Sequence, residues 1–290
     1  MALSQLIING IVAGAIYALV ASGFSLIYST NKFIHIAHGA TIAFSGYFLY
    51  FLFSMLGINF GFSVIVSIIF ATVIGYLMNI LVYKQLRRRK TSSLILLIAS
   101  FALLVLLESL IILLFGANLK TIKVMGSITS YELFGGFITP IQIAILITSI
   151  VLLIGLYYFM NKTKIGKALR AVSNNKNVAE VLGISSERMF NLSFIIGSGL
   201  AAVAGVLIAL EQSIEPMMGT HLIIKGFTAS VIGGIGNVPG AILGAFLLGG
   251  AETMSIWFLP SGYKDAITFI ILFLFLVFRP KGILGKRWSE

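Results

Sequence analysis

Cysteine is absent from the 290 residues, which excludes disulfides, thiolate nucleophiles and cysteine metal sites and leaves the compartment open. Aspartate occurs once, at Asp265, so paired-aspartate proteolysis and aspartate-rich prenyl transfer are excluded as well. No serine stands in a Gly-x-Ser-x-Gly setting, and no Gly-x-x-x-x-Gly-Lys-Ser/Thr is present; the chain has neither a nucleophile elbow nor a P-loop of its own. Charge is scarce too. Only 10% of the residues are charged against 59% hydrophobic, with a mean hydropathy of +1.06, too little polar surface to cover a water-soluble globule.

What is present is a series of apolar runs from residue 3 to residue 278, so residues 1–290 read as one membrane domain of the all-α class, a polytopic transmembrane helical bundle. The first basic residue is Lys32. The apolar stretch 6–27 therefore lacks the charged n-region of a cleaved leader and is expected to stay as the first span. With about 20 apolar residues per crossing, long spans fall near 4–29, 36–56, 62–83, 92–115, 138–160 and 190–210. Beyond them 222–236 and 266–278 are short and 240–258 is long enough to cross, which predicts eight or nine membrane segments, one of them broken or short near 222–240.

The net charge of +11 sits in short loops between these runs, which points to orientation in a membrane and not to nucleic acid. Three basic clusters stand out: Lys84 to Lys90, then Lys162 to Arg188, then Arg279, Lys281, Lys286 and Arg287. Residues 84–90, 161–189 and 279–290 are accordingly expected in the cytoplasm, with the C-terminus there and the N-terminus outside.

Residues 233–240 cannot form a regular helix. Gly233, Gly234, Gly236, Gly240, Asn237 and Pro239 remove helix propensity and a backbone donor. Broken backbone in a membrane must be covered by protein or water, so these positions are candidates for a permeation path, with an ordinary turn between two spans as the alternative. Small residues at Gly240, Gly244, Ala241, Ala245 and Gly249, and at Gly10 and Gly14 in the first span, predict close helix packing. Among ionisable groups, Glu108 and Glu252 stand clearly inside apolar spans, each near an end where snorkelling competes with a pathway role. His35 and His38 lie three residues apart with no acid nearby, a poor metal pattern; no metal is expected, and His38 with Gly39 is read as a further pathway candidate.

The polar segment 161–189 has internal order. Asn177 with Glu180 resembles a capping box, Val178, Val181 and Leu182 give an apolar edge, and Gly183 supplies a stop. So short a helix is marginal alone and needs something to dock on, whether its own membrane domain, the lipid surface or a partner protein; basic flanks suit lipid, while the capped and terminated helix suits a socket on a soluble partner better. Ser185 starts the next helix.

Residues 9–19 (NGIVAGAIYAL), 33–39 (FIHIAHG), 166–172 (GKALRAV), 179–184 (AEVLGI), 233–241 (GGIGNVPGA) and 279–285 (RPKGILG) together resemble, in order from end to end, the permease family of branched-chain amino acid ABC importers, the LivH type in particular. The resemblance implies a pore shared with a second permease as a heterodimer, two cytoplasmic ATPases, and an extracytoplasmic substrate-binding protein, in a prokaryotic cytoplasmic (inner) membrane. It also implies that the chain is no enzyme and holds no cofactor, ATP being used by the partner ATPases. The stretch Val178, Ala179, Glu180, Val181, Leu182, Gly183 resembles the coupling segment that sits in a cleft of the ATPase, although it departs from the usual Glu-Ala-Ala order and keeps only Glu180 and Gly183. The rival reading is an ion-coupled secondary transporter of small polar solutes, which broken helices serve equally well; its expected paired intramembrane acids or evident repeat are not found.

Overall fold

A stretch of 30 residues free of proline and charge forms α1 (Ala2–Asn31), the axis of the molecule in a computed structural model that describes residues 2–123, 130–133 and 135–285. Lys32 then adopts a left-handed backbone, φ 57°, and the chain turns back into the bundle. Next come α2 (His38–Leu49), buried almost throughout and extended by a π turn at Tyr50–Met55, and α3 (Phe60–Met78), capped by the Asn59 side chain. A second π turn, Asn79–Tyr83, joins α3 to α4 (Lys84–Arg88). After α5 (Ser93–Phe115) two short strands, β1 (Tyr131–Leu133) and β2 (Gly136–Ile138), pair antiparallel.

Helix α6 (Pro140–Lys162) opens on a capping box made by Thr139 and Gln142. Helices α7 (Lys164–Asn174) and α8 (Lys176–Val181) follow, then α9 (Ser186–Glu211). Helices α10 (Met218–Gly233) and α11 (Val238–Ser255) form a tight hairpin, and α12 (Lys264–Phe278) closes the bundle. Among the described residues six helical stretches are long and apolar enough to cross a membrane: Leu3–Asn31, Phe60–Arg88, Ser93–Phe115, Pro140–Lys162, Ser186–Glu211 and Val238–Ser255. Helices α2, α10 and α12 are apolar but shorter, at 12, 16 and 15 residues, α2 being carried on by its π turn. The chain is thus a polytopic helical membrane protein. Beside the helices stands one short strand pair, β1–β2, which Gln5 of α1 fastens by donating to the Phe137 carbonyl and accepting from the Phe137 amide.

The packing suits lipid. Helices α3, α5, α6 and α12 turn Ile65, Ile98, Ile154 and Phe273 outward, while serines and threonines such as Ser22, Thr41, Ser45 and Ser198 are buried among α1, α2, α9 and α10. Both small-residue seams are used. A methyl group on Gly14 would collide with Phe246, one on Gly249 with the backbone of Gly10 and Gly14, and one on Gly244 with the Ala229 carbonyl. Only glycine lets α11 approach α1 and α10 so closely.

The glycine-rich break has a definite form. It is the turn of the α10–α11 hairpin, with Gly234 and Gly236 at φ 107° and 82°, and Asn237 accepts from the Gly240 amide as the cap of α11. The tail after α12 lies on it: the Ile283 and Leu284 amides donate to the Ile232 and Gly233 carbonyls, and Asn237 donates to the Leu284 carbonyl at 2.7 Å. The expected break is thus present as a turn between two helices, the second of the two forms the sequence allows, and the freed backbone groups of α10 are taken up by the tail. Lys286 and Arg287 of the third basic cluster lie outside the described residues.

Candidate functional site

Members of the three basic clusters, far apart in sequence, come together at one end of the bundle: Arg87 approaches Glu187, and Lys167, Arg170 and Lys281 border one cavity. Arg87 of α4 is the first junction. Its side chain, 11% exposed, donates to Asn31 at the end of α1 (3.2 Å) and to Asn79 in the π turn (2.9 Å), and approaches Glu187 of α9 at 3.5 Å. Asn79 in turn donates to Asn191 at 2.7 Å, and the guanidinium lies 4.8 Å from the centre of the Phe190 ring. The fork of Arg87 thus ties α1, the π turn and the start of α9 into one unit.

Immediately before that start of α9 stands the folded loop. Thr163 caps α7 by accepting from the Gly166 amide, and Leu169 and Val172 turn inward. Asn175, not Asn177, caps α8, accepting from the Val178 amide at 3.1 Å. The expected capping box of Asn177 and Glu180 is corrected: Glu180 pairs with Lys176 one turn away at 3.9 Å, because the helix begins two residues earlier than the sequence pattern indicated. Gly183, φ 80°, ends α8 as expected. Its amide donates to Glu180 and the Ile184 amide donates to Ala179, the double bond pattern of a Schellman stop.

The apolar edge is divided. Ala179, 1% exposed, is the residue that anchors α8, packed with Val172 and Phe190. Val178 is exposed, and Val181 and Leu182 are 87% and 72% exposed. Two large apolar side chains therefore stand in the open on a helix that is fixed, capped and joined rigidly to α9.

The same end holds a cavity of about 990 Å³ between α1, α6, α7, the hairpin and the tail, bordered by Gly236, Asn237 and Pro239 among others. His38 and Gly39 lie elsewhere, enclosed at the start of α2. Gly39 abuts the Gly219 backbone of α10, and Gly233 and Gly240 abut one another. The sequence candidates for a pathway thus separate into hairpin-turn residues on a cavity and glycines held in helix contacts.

Both intramembrane acids have protein partners. Glu252, 2% exposed, accepts from Tyr17 at 2.7 Å and from Thr268, and Lys225 of α10 approaches it at 3.4 Å. Lys225 also reaches Asp265 at 3.2 Å. This group links α1, α10, α11 and α12. Snorkelling by Glu252 is corrected to inward pairing, since a lysine inside the bundle offers what the interface otherwise would. Lys225 was not singled out from the sequence, although one lysine in the apolar run 222–236 is itself the signal. Glu108 accepts from Thr220 at 2.5 Å, joining α5 to α10. His35 contacts Tyr83 at 3.0 Å through Nδ1, and among the described residues no group of three His, Asp or Glu side chains is arranged to hold a metal.

Comparison with known proteins agrees with this architecture. Residues 6–276 match the family described as branched-chain amino acid transport system / permease component. The chain is 32% identical to the high-affinity branched-chain amino acid transport system permease protein LivH of Salmonella typhimurium, across 99% of this chain and 96% of that one. It is 34% identical to the corresponding permease protein BraD of Pseudomonas aeruginosa, across 99% and 97%. The probable branched-chain amino acid transport permease protein LivH of Methanocaldococcus jannaschii is 31% identical across 99% and 94%. With the family match and these relatives extending over nearly the whole bundle, the chain belongs to the permease family of branched-chain amino acid transport systems.

Proposed function

We propose that this chain is the membrane-spanning permease subunit of an ATP-binding-cassette importer and forms, with a second permease, the translocation pathway for branched-chain or related amino acids. Family membership supports the class. The observation that carries the mechanism is α8: a capped, anchored helix that leaves Val181 and Leu182 exposed at the basic end, where a soluble partner can cover them. In this reading Val178, Glu180, Val181 and Leu182 meet the ATPase, Ala179 and Gly183 hold the helix in shape, and Arg87 passes its displacement to α1 and the π turn. Residues 1–290 are one permease domain with its coupling loop at 161–189.

Nine segments span or enter the membrane in this proposal, α2, α10 and α12 being the short ones. That number sets the loop at 161–189, the α10–α11 turn and the tail on the cytoplasmic side together, in agreement with the gathering of basic residues there. The partners are a second permease in a heterodimer, two cytoplasmic ATPases that consume the ATP, and an extracytoplasmic binding protein, in a prokaryotic inner membrane. The chain itself catalyses no reaction and holds no cofactor. Gly39, Gly233 and Gly240 serve helix contact, His38 fills the core at the start of α2, and the pathway runs along the boundary with the second permease.

Purification of the tagged permease with its ATPases, followed by reconstitution, tests the class. Uptake of a branched-chain amino acid should require ATP and the ATPases; uptake driven by an ion gradient in their absence would make the chain a secondary transporter. Cysteines at Arg88 and Lys176 should resist an impermeant thiol reagent added outside, and rapid labelling of either would invert the orientation.

A further inference from the structure

The cavity at the basic end has a composition that coupling to an ATPase does not call on. Lys32, Lys167, Arg170 and Lys281 border it, brought there by the end of α1, by α7 and by the tail, and among the described residues no acid does. Among the described residues none of these cations is within ion-pair distance of a carboxylate; Arg170 is engaged only by the neutral Asn161, at 3.1 Å. Four cations facing one space repel each other unless an anion lies between them.

The rest of the wall is mixed, with Ser29, Asn161, Ser173, Asn174 and Asn237 near the cations and an apolar part beside them. Leu153, Met160, Val238 and Ile242 line it, and it adjoins the outer face of α6, where Ile150, Ile154 and Tyr158 are exposed. A ligand that fits must therefore be anionic at one end and carry hydrocarbon along α6 at the other. Its depth fits as well, since the cavity begins at the last turns of α1 and α6, where the bilayer gives way to its headgroups.

We propose that this cavity binds the headgroup of an anionic phospholipid of the cytoplasmic leaflet, its phosphate among Lys32, Lys167, Arg170 and Lys281 and its acyl chains along α6. Basic pockets between membrane helices on the cytoplasmic side recognise phosphorylated headgroups in this manner. The site borders the turn of the α10–α11 hairpin and the foot of α7, so a bound lipid joins the coupling loop to the bundle. An ATPase surface is the less suitable occupant, because the cavity opens between membrane helices while the exposed apolar residues of α8 offer the soluble partner a separate contact.

The test is native mass spectrometry of the full chain, purified in mild detergent and supplied with phosphatidylglycerol or phosphatidylcholine. Phosphatidylglycerol should be retained and phosphatidylcholine lost. Lys167→Gln with Arg170→Gln should weaken retention about thirty-fold, whereas Arg170→Lys alone should keep most of it. Lys164→Gln with Arg88→Gln, which removes two charges outside the cavity, controls for loss of folding and should leave retention unchanged. Equal retention of both lipids, or unchanged retention in the cavity variant, would overturn the proposal. Full displacement of the lipid by inorganic phosphate would reduce the site to one for free anions, and loss of ATPase co-purification with no change in lipid would reassign the surface to that partner. None of these readouts uses transport, so they stand apart from the test of the permease function itself.

Discussion

Replacing Val181 and Leu182 together by alanine separates docking from folding. Both side chains are exposed, at 87% and 72%, so their loss from the free chain should change its stability by no more than about 0.5 kcal/mol. Alanine is also the better helix former, and α8 should persist on its Asn175 cap and Gly183 stop. In an ATPase cleft the arithmetic differs. The truncation removes five carbon atoms, worth about 4 kcal/mol if all were buried at ~0.8 kcal/mol each; a cleft covering half of them still contributes about 2 kcal/mol, or about thirty-fold in affinity. The assay is recovery of ATPase on an affinity-tagged permease at matched membrane expression, alongside uptake in proteoliposomes. Insertion and pairing with the second permease should be normal, while ATPase recovery, substrate-stimulated hydrolysis and uptake fall together. Full ATPase binding with normal uptake would show that α8 is not the coupling element.

Gly183→Ala should weaken coupling by another route: at φ 80° with no atom within 4 Å of an added methyl, its cost is backbone strain alone, about 1–2 kcal/mol, and Gly183→Asn should recover part of it. Protease cleavage within 161–189 reads this directly, and equal protection of all three chains would refute it. Lys225→Met leaves Glu252 buried without its cation and should destabilise the bundle by about 3–5 kcal/mol in thermal unfolding, with Glu252→Gln in the same chain restoring part; a single variant as stable as the parent would remove the network from the account of how α10, α11 and α12 are joined. Arg87→Lys keeps the charge but loses the fork to Asn31 and Asn79, and about 1–3 kcal/mol of stability should go with those bonds. An unchanged melting temperature in that variant would mean that the junction of α1, the π turn and α9 holds without it.

Much of this was legible because lipid solubility and orientation depend on sums over residues. Runs of apolar residues locate most of the long helices, and clusters of Lys and Arg give three loops an expected common side, without reference to any contact. The glycine seam of α1 and α11 was legible for the same reason, since four-residue spacing is a local property of one helix. Gly183 as the end of α8 belongs here too, because a left-handed stop is made by the residue that occupies it.

What a helix faces is another matter. A helix that is apolar all round carries no stripe to say which side is inside, so the inward pairing of Glu252 with Lys225, more than 20 residues away in sequence, appears only once α10 and α11 are folded together. The same holds at 233–240, where glycines, Asn237 and Pro239 predict a break but not its form; the turn is closed because Ile283 and Leu284 arrive from the tail to take its carbonyls. Helix α7 had a signal in Thr163 and in the spacing of Ile165, Leu169 and Val172 that went unused beside the stronger pattern of α8. The cap at Asn175 was hidden by its neighbour Asn177, either of which suits a cap on composition. By itself the sequence determined that the chain is a helical membrane protein and where its long apolar runs lie, because those follow from transfer free energies summed along the chain. Only the tertiary structure decided which polar groups meet across helices, because a pair contact is fixed by packing and not by either residue alone.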